Sequence, residues 1–281
     1  MPLQARRHIR KMRGGAQSHL VEADDDACYV VKFRDNPQHR RILINEWIAS
    51  SFLRYLQVAT PQTAIISISE QFLSDNPEVS IQLGSRNQPV SPGWHFGSRY
   101  PGDPATVAVY DYLPDVLLRQ VANVRHFLGS LVVDKWLCNA DGRQAIYFRA
   151  RVRDWNPSSG AHPRQLGFIA CMIDQGFVFN GPNWEFVDAP LQGLAPRPVV
   201  YEQVRSIDDF QPWLEQVVHL PEEVVDEAVR TIPPQWFDGD ESQIEALLEK
   251  LMRRRARVPD LILDCRRAKR DLFPNWNAIR S

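Results

Sequence analysis

Runs of apolar residues, alternating or continuous, indicate β-strands in the first 114 residues of the chain. Strands are predicted at residues 19–23, 27–33, 63–69 and 106–114. The first two flank the acidic turn Asp24-Asp25-Asp26, a pattern that is typical of a β-hairpin. Residues 74–104 hold many Pro, Gly, Ser and Asn, and we interpret them as a long loop or a broken pair of strands.

Helical periodicity first appears in residues 38–57, which carry one broad apolar stripe. The stripe contains Ile42, Ala49 and Leu53, and Glu46 lies on the same side of the helix. A carboxylate in apolar surroundings needs a cationic partner or an exposed position. Lys32, which lies in a predicted strand between apolar neighbours, is the candidate partner. An exposed helical Glu46 is the alternative.

After residue 115 the pattern is mainly helical. A helix is predicted from about residue 116 to 138, and we assign its apolar stripe to the core. The stripe consists of Leu117, Val121, Val124, Leu128, Leu131, Val132 and Trp136. A second hairpin is predicted at 146–152 and 166–174, and amphipathic helices follow from about residue 207.

This order of elements predicts an α+β protein with two lobes. A β-rich part with one helix is followed by a helical part that holds a hairpin. We expect a smaller N lobe at residues 1–114, with a Gly-rich loop near its start and a hinge at its end. The larger, mostly helical C lobe is expected at residues 115–281.

Composition excludes several classes of protein. The net charge of −1 gives no overall field that attracts nucleic acid or an anionic membrane, and the basic runs 253–257 and 266–270 are typical of solvated helix faces. Four cysteines without a CxxC pair argue against a zinc site or a disulfide framework and favour a reducing compartment. No stretch reaches the ~20 apolar residues that span a bilayer. We therefore expect a cytoplasmic protein without a membrane partner.

Two aspartates occupy positions that suit a metal–nucleotide site. Asp141 lies in a tight polar loop between the predicted helix and the strand that begins at residue 146. Asp174 ends the last strand of the second hairpin, directly before Gln175-Gly176. These positions favour a kinase-type phosphoryl-transfer domain. The alternatives are a simple turn at Asp141 and a strand-end cap at Asp174.

Other polar residues have simpler interpretations. The turn at Gly14-Gly15 lets backbone N–H groups approach phosphate oxygens, or it is an ordinary turn. Asp134 and Lys135 are predicted to be surface charges of their helix. His95 and His126 have no metal-ligand spacing and are predicted to be polar core or surface residues.

Taken in order along the chain, these features resemble the HipA-like kinases, which belong to the wider protein-kinase and phosphoinositide-kinase fold group. The resemblance covers roughly residues 10–190. It rests on Gly15-Ala16-Gln17, Lys32, Asn45-Glu46, Asn139-Ala140-Asp141 and Ile173-Asp174. The extra N-terminal subdomain of toxin-type members is not evident, so we expect a standalone kinase domain and no toxin–antitoxin role.

The resemblance implies a protein-kinase-like fold and a role for each matching position. The Gly-rich loop would cover the triphosphate of ATP with Gly14, Gly15, Ala16, Gln17 and Ser18. Lys32 would neutralise the α- and β-phosphates while Glu46 holds it, and Asp174 would bind Mg²⁺. Asp141 would accept the hydrogen bond of the attacking hydroxyl. Backbone groups from Tyr110 to Leu113 would contact the adenine edge.

One position departs from the family. Members place an Asn five residues after the catalytic Asp as a second metal ligand, and here that position is Ile146. Gln144 and Asn139 are the candidates to replace it. The expected activity is Mg·ATP-dependent transfer to a Ser or Thr hydroxyl of an unidentified protein acceptor. The alternatives are a nucleotide-binding pseudokinase and a phosphoinositide or small-molecule kinase. Residues 175–186, uncharged apart from Glu185, argue against an anionic headgroup as acceptor.

Overall fold

The chain forms strands mainly before residue 100 and helices mainly after residue 115, in a computed structural model that describes residues 1–276. The strands are β1 (Leu3–Lys11), β2 (His19–Ala23), β3 (Cys28–Lys32), β4 (Thr63–Ile68), β5 (Ser80–Leu83), β6 (Arg86–Pro89), β7 (Gly93–Arg99), β8 (Gln144–Arg151) and β9 (Leu166–Ile173). The α-helices are α1 (Arg41–Tyr55), α2 (Glu70–Asp75), α3 (Asp115–Leu118), α4 (His126–Leu137), α5 (Val152–Trp155), α6 (Trp213–Val218), α7 (Glu222–Arg230), α8 (Pro234–Phe237), α9 (Glu241–Arg254) and α10 (Val258–Ala268). The predicted α+β class is confirmed.

Five strands of the first part close into a barrel in the order β1-β2-β3-β7-β4. Neighbours are antiparallel, except that β1 pairs parallel with β4. Side chains alternate between the two faces of a strand, so Val31 and Phe33 fill the barrel while Lys32 points outward. Lys32 lies opposite Phe96, which belongs to the core that contains α1. The barrel therefore presents Lys32 to α1.

Residues 74–104 contain strands and not only a loop. β5 and β6 form a two-stranded hairpin, and β7 pairs with both β3 and β4 to complete the barrel. Gly97 permits this arrangement, because a Cβ there would lie 2.6 Å from Cγ1 of Ile66. Of the two interpretations, strands rather than one long loop is the correct one. β7, however, is a single continuous strand.

The strand predicted at residues 106–114 is wrong. The segment makes one isolated bridge, in which Tyr110 and Tyr147 exchange two backbone hydrogen bonds of 2.8 Å. Tyr110 and Tyr112 are exposed. Tyr110 is the one residue of this segment with a backbone partner in β8 among the described residues.

The single helix predicted at 116–138 is also wrong, because it is divided into α3 and α4. The linker between them pairs with β9: Ala122 N donates to Phe168 O at 2.9 Å. The side chain of Asn123 accepts from Ala170 N at 2.9 Å and donates to Ala170 O at 2.8 Å. An Asn side chain that bonds to backbone groups in this way competes with helical hydrogen bonds.

Helix α4 lies at the centre of the second part. All of its residues are buried, and its Trp136 ring packs against Phe52 of α1 with a centroid distance of 4.8 Å. The helix ends at Cys138, which has a left-handed conformation with φ of 53°. A rigid, fully enclosed helix thus carries the loop that contains Asp141. The hairpin of β8 and β9 follows this loop, as predicted. None of the described helices is long and apolar enough to cross a membrane.

Candidate active site

Three charged side chains from distant parts of the chain meet beside the barrel. Lys32, at the end of β3, donates a hydrogen bond to Glu46 Oε1 of α1 and another, of 2.7 Å, to Asp174 Oδ1. The side chains of Lys32 and Glu46 are almost fully buried, whereas that of Asp174 is 36% exposed. The contact predicted between Lys32 and Glu46 is confirmed, and Asp174 leaves one side of the cluster open to solvent.

The cluster favours the charged forms of Lys32 and Asp174, but not that of Glu46. Burial alone would lower the pKa of Lys32, but the carboxylates of Glu46 and Asp174 outweigh it and raise that pKa above its usual value. Burial opposes ionisation of Asp174, yet the Lys32 ammonium holds the pKa of this carboxyl below its usual value. For Glu46 burial prevails and raises the pKa, so this carboxylate depends on Lys32 to remain charged.

Asp141 lies on the exposed side of the loop after α4. Its Oδ1 accepts from Gly142 N at 2.7 Å, and its Oδ2 lies 3.4 Å from Nε2 of Gln144. The loop is held by its own backbone: Gly193 N donates to Asp141 O at 2.9 Å, and Asp141 N donates to Asn139 Oδ1 at 3.2 Å. The Asp141 carboxylate therefore faces solvent from a fixed backbone.

Asp141 and Asp174 lie at the same end of the hairpin of β8 and β9. Gln144, the first residue of β8, is opposite Ile173, the residue before Asp174. Arg143 connects the two sides, because its Nη1 donates to Ile173 O at 3.0 Å. The register of the hairpin therefore brings the two aspartates to the same end.

Asp134 and Lys135 are not surface charges, contrary to the prediction. They are 1% and 5% exposed. Asp134 forms a bidentate ion pair with Arg143, with Nε to Oδ2 at 2.8 Å. Lys135 Nζ donates to the carbonyls of Pro190 and Gln192 at 2.8 and 2.6 Å. Because α4 is enclosed on all sides, its charges have to be satisfied internally, and here they hold the two loops around Asp141.

The two candidates for a second metal ligand differ in accessibility. Asn139 is buried, and its amide is used within the loop, since Nδ2 donates to Asp134 Oδ1 at 2.9 Å and Oδ1 accepts from Asp141 N. Gln144 is exposed beside Asp141. Within residues 1–276 no three His, Cys, Asp or Glu side chains form a metal cluster by themselves. The carboxylate of Asp174 and the amide oxygen of Gln144 suit Mg²⁺, because this ion usually completes its coordination with water and phosphate oxygens.

The Gly-rich loop connects β1 and β2. Gln17 anchors it to β5, since its side chain donates to Gln82 O at 2.8 Å and accepts from Gln82 N at 2.7 Å. Gly14, with φ of 118°, lies at the exposed tip, and Ser18 is buried at the base. The amides of Gly14, Gly15 and Ala16 have no hydrogen-bond partner among residues 1–276. They are the donors that the loop leaves available.

The segment predicted to contact adenine has fewer available groups than expected. Both backbone groups of Tyr110 are bonded to Tyr147, and Leu113 O accepts from Arg197 Nη2 at 2.9 Å. The backbone groups of Asp111 and Tyr112 and the N–H of Leu113 have no partner in the described part of the chain. The backbone groups of Tyr110 are thus already paired within the chain, whereas the N–H of Leu113 is available. The adenine contact of this segment stays a prediction.

His95 and His126 are core residues, one of the two interpretations of the sequence. Burial lowers the pKa of each to about 4. His126 Nδ1 accepts from Ala59 N at 2.8 Å, and His95 Nδ1 accepts from Arg34 N at 3.0 Å. Both imidazoles are used as neutral acceptors for backbone groups.

A barrel whose lysine meets a helix glutamate, followed by a hairpin that ends in an aspartate, defines a kinase-like fold. Two solved structures share this fold. The structure of hydra Fam20 with sugar superposes with a TM-score of 0.56 at 13% identity, covering 95% of this chain and 87% of that one. The crystal structure of the Golgi casein kinase superposes with a TM-score of 0.52 at 12% identity, covering 95% and 74%.

Sequence comparison then identifies the family. The profile of the HipA-like kinases matches residues 6–146, half of the 281-residue chain, and this range contains Lys32, Glu46 and Asp141. The protein belongs to the HipA-like kinases, a class of kinase-type phosphotransferases, as the resemblance of its motifs indicates. No curated protein matches the sequence significantly.

Proposed function

We propose that the protein transfers the γ-phosphoryl group of Mg²⁺-bound ATP to the hydroxyl of a Ser or Thr in a protein acceptor. The observation that carries the proposal is the convergence of Lys32, Glu46 and Asp174 at one partly open cluster. Phosphoryl transfer depends on positioning and on neutralising charge, and a buried cation between two carboxylates beside an open surface supplies both.

Each member of the cluster has a defined role in this proposal. Lys32 binds the α- and β-phosphates, and Glu46 keeps it in place from α1. Asp174 and Gln144 hold Mg²⁺, which when bound supplies positive charge to the phosphate oxygens. Asn139 has a different role, as support for the loop, because its amide is used internally.

Asp141 orients the acceptor. Its carboxylate accepts the hydrogen bond of the attacking hydroxyl, whose oxygen forms a bond to the γ-phosphorus as the bond to the β,γ-bridging oxygen breaks. ADP leaves, and the hydroxyl proton passes to the carboxylate. The exposed position of Asp141 and the anchored backbone beneath it support this role.

The nucleotide occupies the space between two lobes, residues 1–114 and 115–281. The free amides of Gly14, Gly15 and Ala16 cover the triphosphate, with Gln17 and Ser18 fixing the loop. The hinge segment contacts the adenine edge through Asp111, Tyr112 and the N–H of Leu113. We place this activity in the cytoplasm, because the four cysteines are free and buried, as suits a reducing compartment.

A nucleotide-binding pseudokinase is the second candidate, and one observation favours it. Ile146 stands where the family has a metal-binding Asn, and its side chain packs on the apolar cluster of Phe148, Ile169 and Cys171. No ligand is available at that position. Whether Gln144 replaces it decides between turnover and binding alone.

The test uses the full chain with γ-labelled ATP and Mg²⁺ or Mn²⁺. The temperature of thermal unfolding should rise with Mg·ATP. A ligand at one hundred times its Kd adds about 2.7 kcal/mol to the free energy of unfolding. Label should move to the protein itself or to added protein acceptors, and Asp141→Ala should abolish the transfer while retaining binding. Stabilisation without transfer with either metal would support the pseudokinase. Absence of stabilisation at millimolar ATP would contradict both candidates.

A further inference from the structure

The chain that follows Asp174 has an unusual backbone. Asp174, Phe179, Asn180 and Trp184 are non-glycine residues with φ between 53° and 60°. Left-handed conformations are uncommon for such residues and persist where surrounding contacts determine them. We call residues 174–184 the metal-side segment, and its shape requires an external support.

Asn45 of α1 supplies this support. Its side chain is fully buried, with 0% exposure. Its Nδ2 lies 2.7, 3.0 and 3.0 Å from the carbonyl oxygens of Gly176, Val178 and Gly181, which share its two hydrogens. Its Oδ1 accepts from Trp184 Nε1 at 2.8 Å. Both ends of one amide are therefore satisfied by four residues of the metal-side segment, which neither an aspartate nor an apolar side chain can reproduce.

The neighbours of Asn45 on α1 bind the same segment. A Cβ on Gly176 would lie 2.6 Å from Cγ2 of Ile42, so only glycine allows this approach. Arg41 Nη1 donates to Pro182 O at 2.8 Å, and its guanidinium lies 4.3 Å from the centre of the Trp184 ring. Glu46, the next residue after Asn45, faces Lys32. One face of α1 thus holds both the metal-side segment and the lysine.

The other side of the metal-side segment contacts the loop of Asp141. Ala140 N donates to Phe177 O at 2.9 Å, and Asn180 N donates to Cys138 O at 3.1 Å. The segment is consequently a bridge between α1, which carries Glu46, and the loop that carries Asp141. Asn45 anchors that bridge at three of its carbonyls.

The segment also lacks the groups that a phosphorylation switch requires. Residues 174–200 contain no Ser, Thr or Tyr. Kinase segments ordered by phosphorylation depend on a new charge that pairs with arginine. Here a neutral, buried amide makes the ordering contacts, and no hydroxyl in the segment is available for modification.

We infer that Asn45 is a positioning residue that keeps the backbone of the metal-side segment in the conformation used for phosphoryl transfer, without phosphorylation of the segment. The consequence for activity rests on the proposed function, whereas the ordering of the segment does not. Asn45 is fully buried, so it acts through the segment and not by direct contact with a ligand. It fixes Glu46, Asp174 and Asp141 relative to one another.

The test compares Asn45→Ala with Asn123→Ala in the full chain. Asn123 is a matched control, because it is also a buried Asn bonded to backbone groups, those of Ala170, away from the metal-side segment. Hydrogen exchange should show lost protection at 138–141 and 174–184 in Asn45→Ala only. The gain in ADP affinity caused by Mg²⁺ should shrink, and kcat for transfer should fall about a hundredfold with a smaller change in KM.

Three results decide the inference. Unchanged exchange protection in Asn45→Ala, or a Mg²⁺-dependent gain in affinity equal to that of Asn123→Ala, would overturn it. If the wild-type chain binds no nucleotide, the proposed function fails, and exchange alone decides whether Asn45 orders the segment. If Asn45→Ala does not fold, Trp184→Phe removes one of the four bonds and should cause a smaller, local loss of protection. No loss in that variant would overturn the inference.

Discussion

Lys32 Nζ donates a 2.7 Å hydrogen bond to Asp174 Oδ1, the oxygen of the carboxylate that we propose as the metal ligand. The lysine therefore occupies part of the space that a cation would take at Asp174. Under the proposed function, Mg·ATP would exchange these partners, because Lys32 would bind phosphate oxygens and Asp174 would be left to hold the metal. Until then Lys32 and Asp174 compensate each other's charge through their hydrogen bond.

This relationship predicts opposite effects of Lys32→Met on metal and nucleotide. Without the ammonium, Asp174 is free for a cation, so Mn²⁺ alone should bind more tightly, as measured by its paramagnetic effect on solvent water. Phosphoryl transfer should fall by about a hundredfold or more, because a preorganised charge on the phosphates is lost. Lys250→Met changes an exposed lysine of α9 and is the control. Equal Mn²⁺ affinity in Lys32→Met and wild type would contradict the exchange of partners.

The contact of Lys32 with Glu46 was accessible to sequence reasoning because both residues break an apolar pattern. A charged residue inside an apolar strand and a carboxylate on an apolar helix stripe each require a partner. The hairpin of β2 and β3 was predicted for a similar reason, since its apolar runs are separated by three aspartates. A local sequence pattern is enough to predict a contact when the residue's own neighbours in sequence show that it needs a partner.

Other features depend on contacts that no local pattern records. β1 reads as a basic segment, because five of its nine residues are Arg, Lys or His, and only its pairing with β2 and β4 makes it a strand. Asp134 and Lys135 resemble the polar side of an amphipathic helix. Their burial follows from α1, α6, α9 and α10 packing around α4, which is a property of the tertiary structure.

Asp141→Asn should separate binding from transfer. The amide keeps the size of the side chain but loses the ability to take the proton, so transfer should fall by about 10²- to 10⁴-fold. Stabilisation by Mg·ATP should remain, because other residues hold the phosphates in the proposed site. Asp154→Asn, an exposed aspartate after β8, is the control. A loss of Mg·ATP binding equal to the loss of transfer would assign Asp141 to the metal instead.

The buried pair of Asp134 and Arg143 should contribute strongly to stability when one partner is removed. Asp134→Leu leaves a buried guanidinium without its carboxylate, which costs about 3–5 kcal/mol in comparable sites. The double variant Asp134→Leu/Arg143→Met should recover part of this loss, because neither charge of this pair remains buried. The free energy of unfolding in urea is the measurement.

A surface pair provides the comparison for that experiment. Glu249 and Arg253 are exposed on α9 at a distance of 3.2 Å, so Glu249→Gln should cost less than about 1 kcal/mol. The prediction is contradicted if Asp134→Leu lowers the free energy of unfolding as little as Glu249→Gln does. It is also contradicted if the double variant is less stable than Asp134→Leu.

His95 predicts how stability changes with pH. Burial first, and Arg34 in addition, lower its pKa to about 4, against the opposing effects of Asp35 and Ser91. Its Nδ1 accepts from Arg34 N, and its Nε2 lies 3.1 Å from Ser91 O, so a second proton would set two N–H groups against each other. The unfolded chain takes up this proton near pH 6.5, before the folded chain does. Stability from the neutral imidazole is therefore present above pH 6.5 and is lost as the pH falls towards 4, by up to about 3 kcal/mol.

Urea unfolding at pH 7.5 and 5 should show this loss in wild type and in His162→Asn, an exposed control, but a smaller one in His95→Asn. A loss of equal size in His95→Asn would show that other groups cause the dependence on pH.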